Sequence, residues 1–147
     1  MGYFSSLDIS ASALTAQRLR MDTISQNIAN VNTTRTENGQ PYRRKTVLFE
    51  EKSSSTPFSE YLAKSSKGDT AGGGVRVTGI VEDRSPFKRV YDPGHPDADQ
   101  EGYVSMPNVD VITEMVNMIS ATRAYEANVT SINTSKSMAM KALEIGR

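Results

Sequence analysis

The sequence predicts an α+β fold: a long helix at each end, with a small β-rich, loop-rich region between them. Three observations lead there. All six Pro lie between Pro41 and Pro107, and only Gly2 and Gly146 of the ten Gly fall outside residues 39–102. Gly costs about 1 kcal/mol and Pro about 3 kcal/mol inside a helix, so the two ends are the helix-permissive parts of the chain. Each end carries a seven-residue apolar repeat, and the middle carries short alternating segments bounded by turn formers.

The first helix is expected from about Asp8 to Val31. Leu7, Leu14, Met21 and Ile28 fall seven apart, and Ser10, Gln17, Ile24 and Val31 fill the intervening register. That 3–4 spacing makes a seam, diluted with polar residues at its start. Ser5, Ser6 and Asp8 offer N-caps. Asn30, Asn32, Thr33 and Thr34 favour an exit, because their side chains compete for backbone groups.

The middle reads as short strands. Tyr42–Phe49 alternates weakly, Val75–Val81 alternates well, and Arg89–Tyr91 and Tyr103–Val104 are shorter β-type pieces. Ser53–Gly74 holds six Ser and four Gly and has the composition of a flexible linker.

The second helix is expected from about Asp110 to Ile145. Val111, Met118, Tyr125, Ile132 and Ala139 repeat every seven residues, as do Met115, Thr122, Val129, Lys136 and Leu143. Asn108 or Asp110 marks its start and Gly146 its stop. Such a helix is about 50 Å long, longer than a compact domain of this size is wide. The division is therefore 1–34, 35–106 and 107–147, the outer two forming one helical layer.

Composition limits the chemistry. Lys plus Arg is 17 and Asp plus Glu is 17 in 147 residues. A balanced chain has no global attraction to nucleic acid or anionic membrane. Cys is absent and His95 is the single His, which removes thiol chemistry, Cys-ligated metals and multi-His metal sites within one chain. No apolar run spans a bilayer. The start of the chain lacks a basic segment followed by an apolar block, so read alone it points to the cytoplasm. Leu, Ile, Val and Phe number 29, a thin supply for a large independent core.

Each motif that could carry chemistry has a plainer reading. Glu50-Glu51 and Glu82-Asp83 are adjacent carboxylates on surface-like segments. His95 sits in a run of turn formers and is expected to bond a neighbouring carboxylate. Asp97-x-Asp99-x-Glu101-Gly102 copies part of a calcium loop, but position 12 would be Asn108. Arg43-Arg44-Lys45 beside Tyr42 is too small for a nucleic-acid surface. No enzyme, no cofactor and no small-molecule ligand is expected. Charge is nonetheless uneven: residues 92–114 hold six acidic groups and no Lys or Arg, while 41–91 hold ten basic and six acidic. Besides a solvated surface, this fits head-to-tail complementarity between subunits.

The seams are the strongest signal. Ile9, Leu19, Ile112, Ile119 and Met140 extend the apolar faces beyond the seams, more than a two-helix hairpin can cover. Polar residues at core registers, such as Gln17, Thr122 and Lys136, cost stability but fix register and partner number. Assembly beyond the monomer follows.

Three segments resemble one family. Ser25-Gln26-Asn27-Ile28-Ala29-Asn30-Val31-Asn32-Thr33-Thr34 is similar to the signature of the flagellar rod, hook and hook-associated proteins, carried by Asn27, Asn30, Asn32 and Thr33. Glu114–Asn128, with Arg123, Glu126 and Asn128, resembles that family's closing helix. The Tyr91–Val104 segment, with Asp92, Pro93, His95 and Pro96, resembles its short proximal-rod members. The resemblance implies a structural subunit of the flagellar basal body that transmits torque in motility. It implies terminal helices paired as an antiparallel coiled coil, export by the flagellar type III apparatus without a cleaved signal, and a place in the periplasm-spanning rod. The implied partners are other rod subunits and copies of the chain itself. The expected assembly interface is Leu7, Leu14, Met21, Ile24, Ile28, Val31, Val111, Met115, Met118, Thr122, Tyr125, Val129, Ile132 and Leu143. The alternatives are another flagellar axial subunit or a stand-alone coiled-coil adaptor.

Overall fold

The computed structural model describes residues 3–52 and 73–146. The order is α1 (Tyr3–Ala29), β1 (Lys45–Glu51), β2 (Val75–Glu82), β3 (Lys88–Tyr91), β4 (Tyr103–Met106) and α2 (Val111–Ile145). Two long helices thus flank a small strand-containing middle. The expected linker lies outside the described residues, except for its last two glycines.

Helix α1 starts five residues before the expected Asp8. Nothing between Tyr3 and Asp8 breaks a helix, and serine is tolerated there. Farther along, Ser12, Thr15 and Thr23 donate their hydroxyls to carbonyls three or four residues back, at 2.7, 3.2 and 2.9 Å. The exit is a turn rather than more helix: Thr33 N donates to Asn30 O at 3.1 Å, and the Thr33 hydroxyl donates to Asn30 Oδ1 at 3.2 Å.

Helix α2 is bounded as its sequence predicts. Asp110 is the N-cap, accepting from Thr113 N at 3.2 Å and from the Thr113 hydroxyl, and Gly146 closes the helix. Glu114 places a negative charge on the first turn, which favours the helix dipole.

Strands β1 and β2 form one antiparallel pair, Lys45 opposite Glu82 and Glu51 opposite Val75, with an irregularity between Leu48 and Phe49. Strands β3 and β4 form a second antiparallel pair, Lys88 opposite Met106 and Tyr91 opposite Tyr103. Helix α1 is the common support, touching α2 and both strands of the first pair. Gly74 makes the close approach possible. Its φ is +95°, and a Cβ there would collide with the Ser12 hydroxyl and lie 3.3 Å from Ile9 Cα. Val75 N donates to that hydroxyl at 3.1 Å, pinning the start of β2 to α1.

The core is thin. Ala16, Ile24, Tyr42, Val47, Val104 and Ala121 are its buried apolar residues among those described. On α2 the buried positions are Glu114 and Ala121, one residue before the expected register of Met115 and Thr122. Val111, Met118, Tyr125, Val129 and Ile132 of the expected seam are half-buried, while Met115, Lys136 and Leu143 are exposed. Thr122 still reaches α1, its hydroxyl 3.6 Å from Met21 Sδ.

Candidate functional site

A buried polar junction ties three elements together where α1 ends and α2 begins. Asn27, fully buried, uses all its hydrogen-bonding capacity. Its Nδ2 donates to Lys45 O at 2.8 Å and Glu114 Oε2 at 2.9 Å. Its Oδ1 accepts from the Tyr42 hydroxyl at 3.0 Å and Lys45 N at 2.9 Å. Glu114 is 1 % exposed. Its Oε1 accepts from Arg44 Nε and Nη2, both at 2.8 Å. Arg44 also lies 3.6 Å from Asp83, and its backbone N donates to Asn108 Oδ1 at 2.8 Å.

A buried charge persists only where it is paired and its lone pairs are satisfied, and both conditions hold for Glu114. The geometry gives this cluster a positioning role. It fixes the start of β1 and the start of α2 onto one residue of α1. Burial raises the Tyr42 pKa, helped by the charges of Glu82 and Glu114, so the phenol stays protonated to donate to Asn27. Bonds from the Ser85 hydroxyl and backbone hold the Asp83 carboxyl below its ordinary pKa, with Arg44 adding to the effect.

The other signature residues have local bonds. Asn30 Nδ2 donates to Gln26 O at 2.9 Å, and Asn128 Nδ2 to Ala124 O at 2.8 Å, each within its own helix. Asn32, Arg123 and Glu126 are exposed. His95 Nδ1 accepts from Asp97 N at 3.1 Å, so its partner is a backbone amide and not the expected carboxylate. In the calcium-like loop, Asp99 accepts from Glu101 N, Tyr103 N and Arg89, at 2.9, 2.8 and 2.9 Å. Asp97 accepts from the Thr34 hydroxyl at 2.7 Å. These carboxylates close a turn. The bond from Tyr103 N is the main reason the Asp99 pKa is lowered.

The seam residues fall into two groups. Ile24 is buried, and Leu7, Leu14, Met21, Ile28, Val31, Val111, Met118, Thr122, Tyr125, Val129 and Ile132 are half-buried. Met115 and Leu143 are exposed. A stripe on α2, at positions i, i+3, i+4 and i+7, is open to solvent: Ile112 at 74 %, Met115 at 54 %, Val116 at 61 % and Ile119 at 57 %. Near the C-terminus Met138, Met140, Leu143 and Ile145 are exposed as well. No helix among the described residues is long and apolar enough to cross a membrane.

Tyr42, Arg44 and Glu114 are positioning residues that the seam pattern misses. Their signal is weak in sequence because charges and a phenol are ordinarily surface residues. Arg43, the neighbour of Arg44 in the basic run, instead stacks over Phe87 at 4.3 Å and donates to Asp83 O at 3.4 Å.

Comparison with known proteins follows the same segments. Residues 7–35 match the family described as flagella basal body rod protein. Residues 100–145 match the flagellar basal body rod FlgEFG protein C-terminal family. The flagellar basal-body rod protein FlgC of Bacillus subtilis is 55% identical, with 100% of each chain covered. That of Borreliella burgdorferi is 50% identical, covering 99% of this chain and 98% of its own. That of Escherichia coli O157:H7 is 44% identical over 100% of both.

Proposed function

The chain belongs to the FlgC family of flagellar basal-body rod proteins, a structural subunit of the rod and not an enzyme, and we propose that α1 and α2 pair as an antiparallel coiled coil that forms its axial layer. Other rod components are the partners that rod membership brings. The finer reading adds copies of the chain itself, helical stacking in the proximal rod and torque transmission to the hook. Delivery through the flagellar type III export apparatus, without a cleaved signal, would bring it to the periplasm-spanning rod. The regions 1–34 and 107–147 act as the axial layer, and 35–106 as its outer part.

The observation that carries this reading is the stripe Ile112, Met115, Val116 and Ile119. Four large apolar side chains on one helix face are left bare by their own chain, and contiguous exposed apolar surface marks an interaction site. The pairing direction is supported by two hydrogen-bonding contacts between the helices, Asn27 with Glu114 and Met21 with Thr122, which run opposite ways along the two sequences. An apolar stripe turned to solvent suits a subunit that is completed by neighbours. Gln17 adds to this: its Oε1 is buried with no hydrogen-bond partner among the described residues.

Light scattering and far-UV circular dichroism over a concentration series test it. Helicity that rises with association supports a subunit finished by assembly. A fully helical monomer at every concentration, unchanged by rod partners, contradicts it.

A further inference from the structure

The turn between β3 and β4 has the form of a plug, and a notch beside α1 has the form of its socket. The plug is rigid. Asp92 N donates to Gly102 O at 3.0 Å, Gly102 N to Asp99 O at 3.0 Å, and Asp99 N to Tyr103 O at 2.9 Å. Gly102 has a φ of +80°, and a Cβ there would meet the Tyr91 ring at 2.9 Å, so this glycine sets where the ring lies. Tyr91 stands 64 % exposed, packed edge-on against Tyr103 with ring centroids 5.3 Å apart. Asp92 and Glu101 flank it, both exposed and neither in an ion pair among the described residues.

The notch is an open cavity of about 240 Å³ between α1, β1 and the start of α2. Ile24, Val47 and Phe49 give it an apolar lining, and Arg20 and Lys45 bring positive charge to it. Neither cation is in an ion pair among the described residues, while Arg44, also at the notch, is already held by Glu114. Lys45 Nζ lies 5.8 Å from the Tyr42 ring centroid, and Asp92 Oδ1 accepts from Gly94 N at 3.2 Å. An apolar bed with two cations outside any ion pair still complements an aromatic ring beside two carboxylates outside any ion pair among the described residues. It offers the ring burial and cation–π contact, and it offers the acids a partner each.

We propose that the β3–β4 turn of one copy seats in the Arg20–Lys45 notch of a second copy. The contact joins two different surfaces, so repetition propagates rather than closing as a two-fold dimer, which is the geometry a filament needs. Its charges set which neighbour fits and in what register. The rigid turn loses little freedom on docking. This deepens the reading of the chain as a self-associating rod subunit and rests on it.

The test uses the full chain in cells that build the rod from it. Arg20→Glu and Asp92→Arg should each lower incorporation into isolated basal bodies about tenfold, and the double variant should restore most of it, since the charges are exchanged. The chain has no Cys, so Asp92→Cys and Arg20→Cys in one chain should give a cross-linked dimer with a short bis-maleimide, and neither single variant should. Normal incorporation of both charge variants overturns the proposal. So does loss without rescue and without a dimer, or a cross-link to a different rod component. Ile119→Asp separates the two readings: if it incorporates normally the apolar-stripe account fails, whatever the plug does.

Discussion

The two faces of the helix pair are built on opposite principles. Among the described residues, every buried side chain of α1 and α2 except Ile24 is small or polar: Ser10, Ala16, Thr23, Asn27, Glu114 and Ala121. On the outer face at the start of α2, Ile112, Met115, Val116 and Ile119 are large, apolar and bare. Folding usually spends its apolar residues inward. Here the chain holds itself together with a specific hydrogen-bonded junction and leaves much of its apolar surface outside. Polar contacts fix one geometry, because each has few acceptable partners, and apolar contacts add affinity with less discrimination. A rod subunit needs one fixed shape first and strong adhesion second.

Several substitutions break or sharpen that contrast. Removing one partner of a buried ion pair should act most strongly. Arg44→Ala leaves Glu114 buried and uncompensated, and should lower unfolding stability by about 3–5 kcal/mol in urea titration, with an unchanged denaturant slope. Asn27→Ala strands Tyr42, Lys45 N and Glu114, and should cost about 1–3 kcal/mol in the same titration. Gln17→Leu should go the other way and raise stability of the free chain by about 1 kcal/mol, since it removes a buried, unpaired amide oxygen while retaining bulk. Its cost should appear in assembly, as slower or less regular self-association followed by light scattering.

A smaller effect is set by pH. Bonds from Thr113 and Tyr103 hold the Asp110 and Asp99 carboxyls below their ordinary pKa. A depressed folded pKa adds stability that is present above the unfolded value, about 3.9, and is lost as pH falls through the folded value. Acid titration of stability should therefore show a shallower fall below about pH 4 for Asp110→Asn than for the parent chain.

Much of the fold is legible in the sequence. Pro and Gly placement bounds both helices, and Asp110 and Gly146 mark the ends of α2 within a residue. All four strands lie where alternation or short β-type pieces suggest. The less legible parts have physical reasons. The start of α1 is obscured because Ser5 and Ser6 suit a cap as well as a helical turn. The less exposed face of α2 carries most of the expected seam, with Val111, Met118, Thr122, Tyr125, Val129 and Ile132 half-buried, but its deepest positions are Glu114 and Ala121, which hydrophobic periodicity does not single out because one is charged and the other small. The junction escapes the same way: Asn27 is visible as part of a signature, but Arg44 and Glu114 stand 70 residues apart in the chain and look like ordinary surface charges until folding joins them.

The central claim, that the bare α2 stripe serves neighbours and not the chain's own fold, is tested most directly by Ile119→Asp. The account predicts an unfolding midpoint within experimental error of the parent, because Ile119 is already solvated, together with loss of incorporation into isolated basal bodies. Normal incorporation of a normally stable Ile119→Asp chain would contradict it.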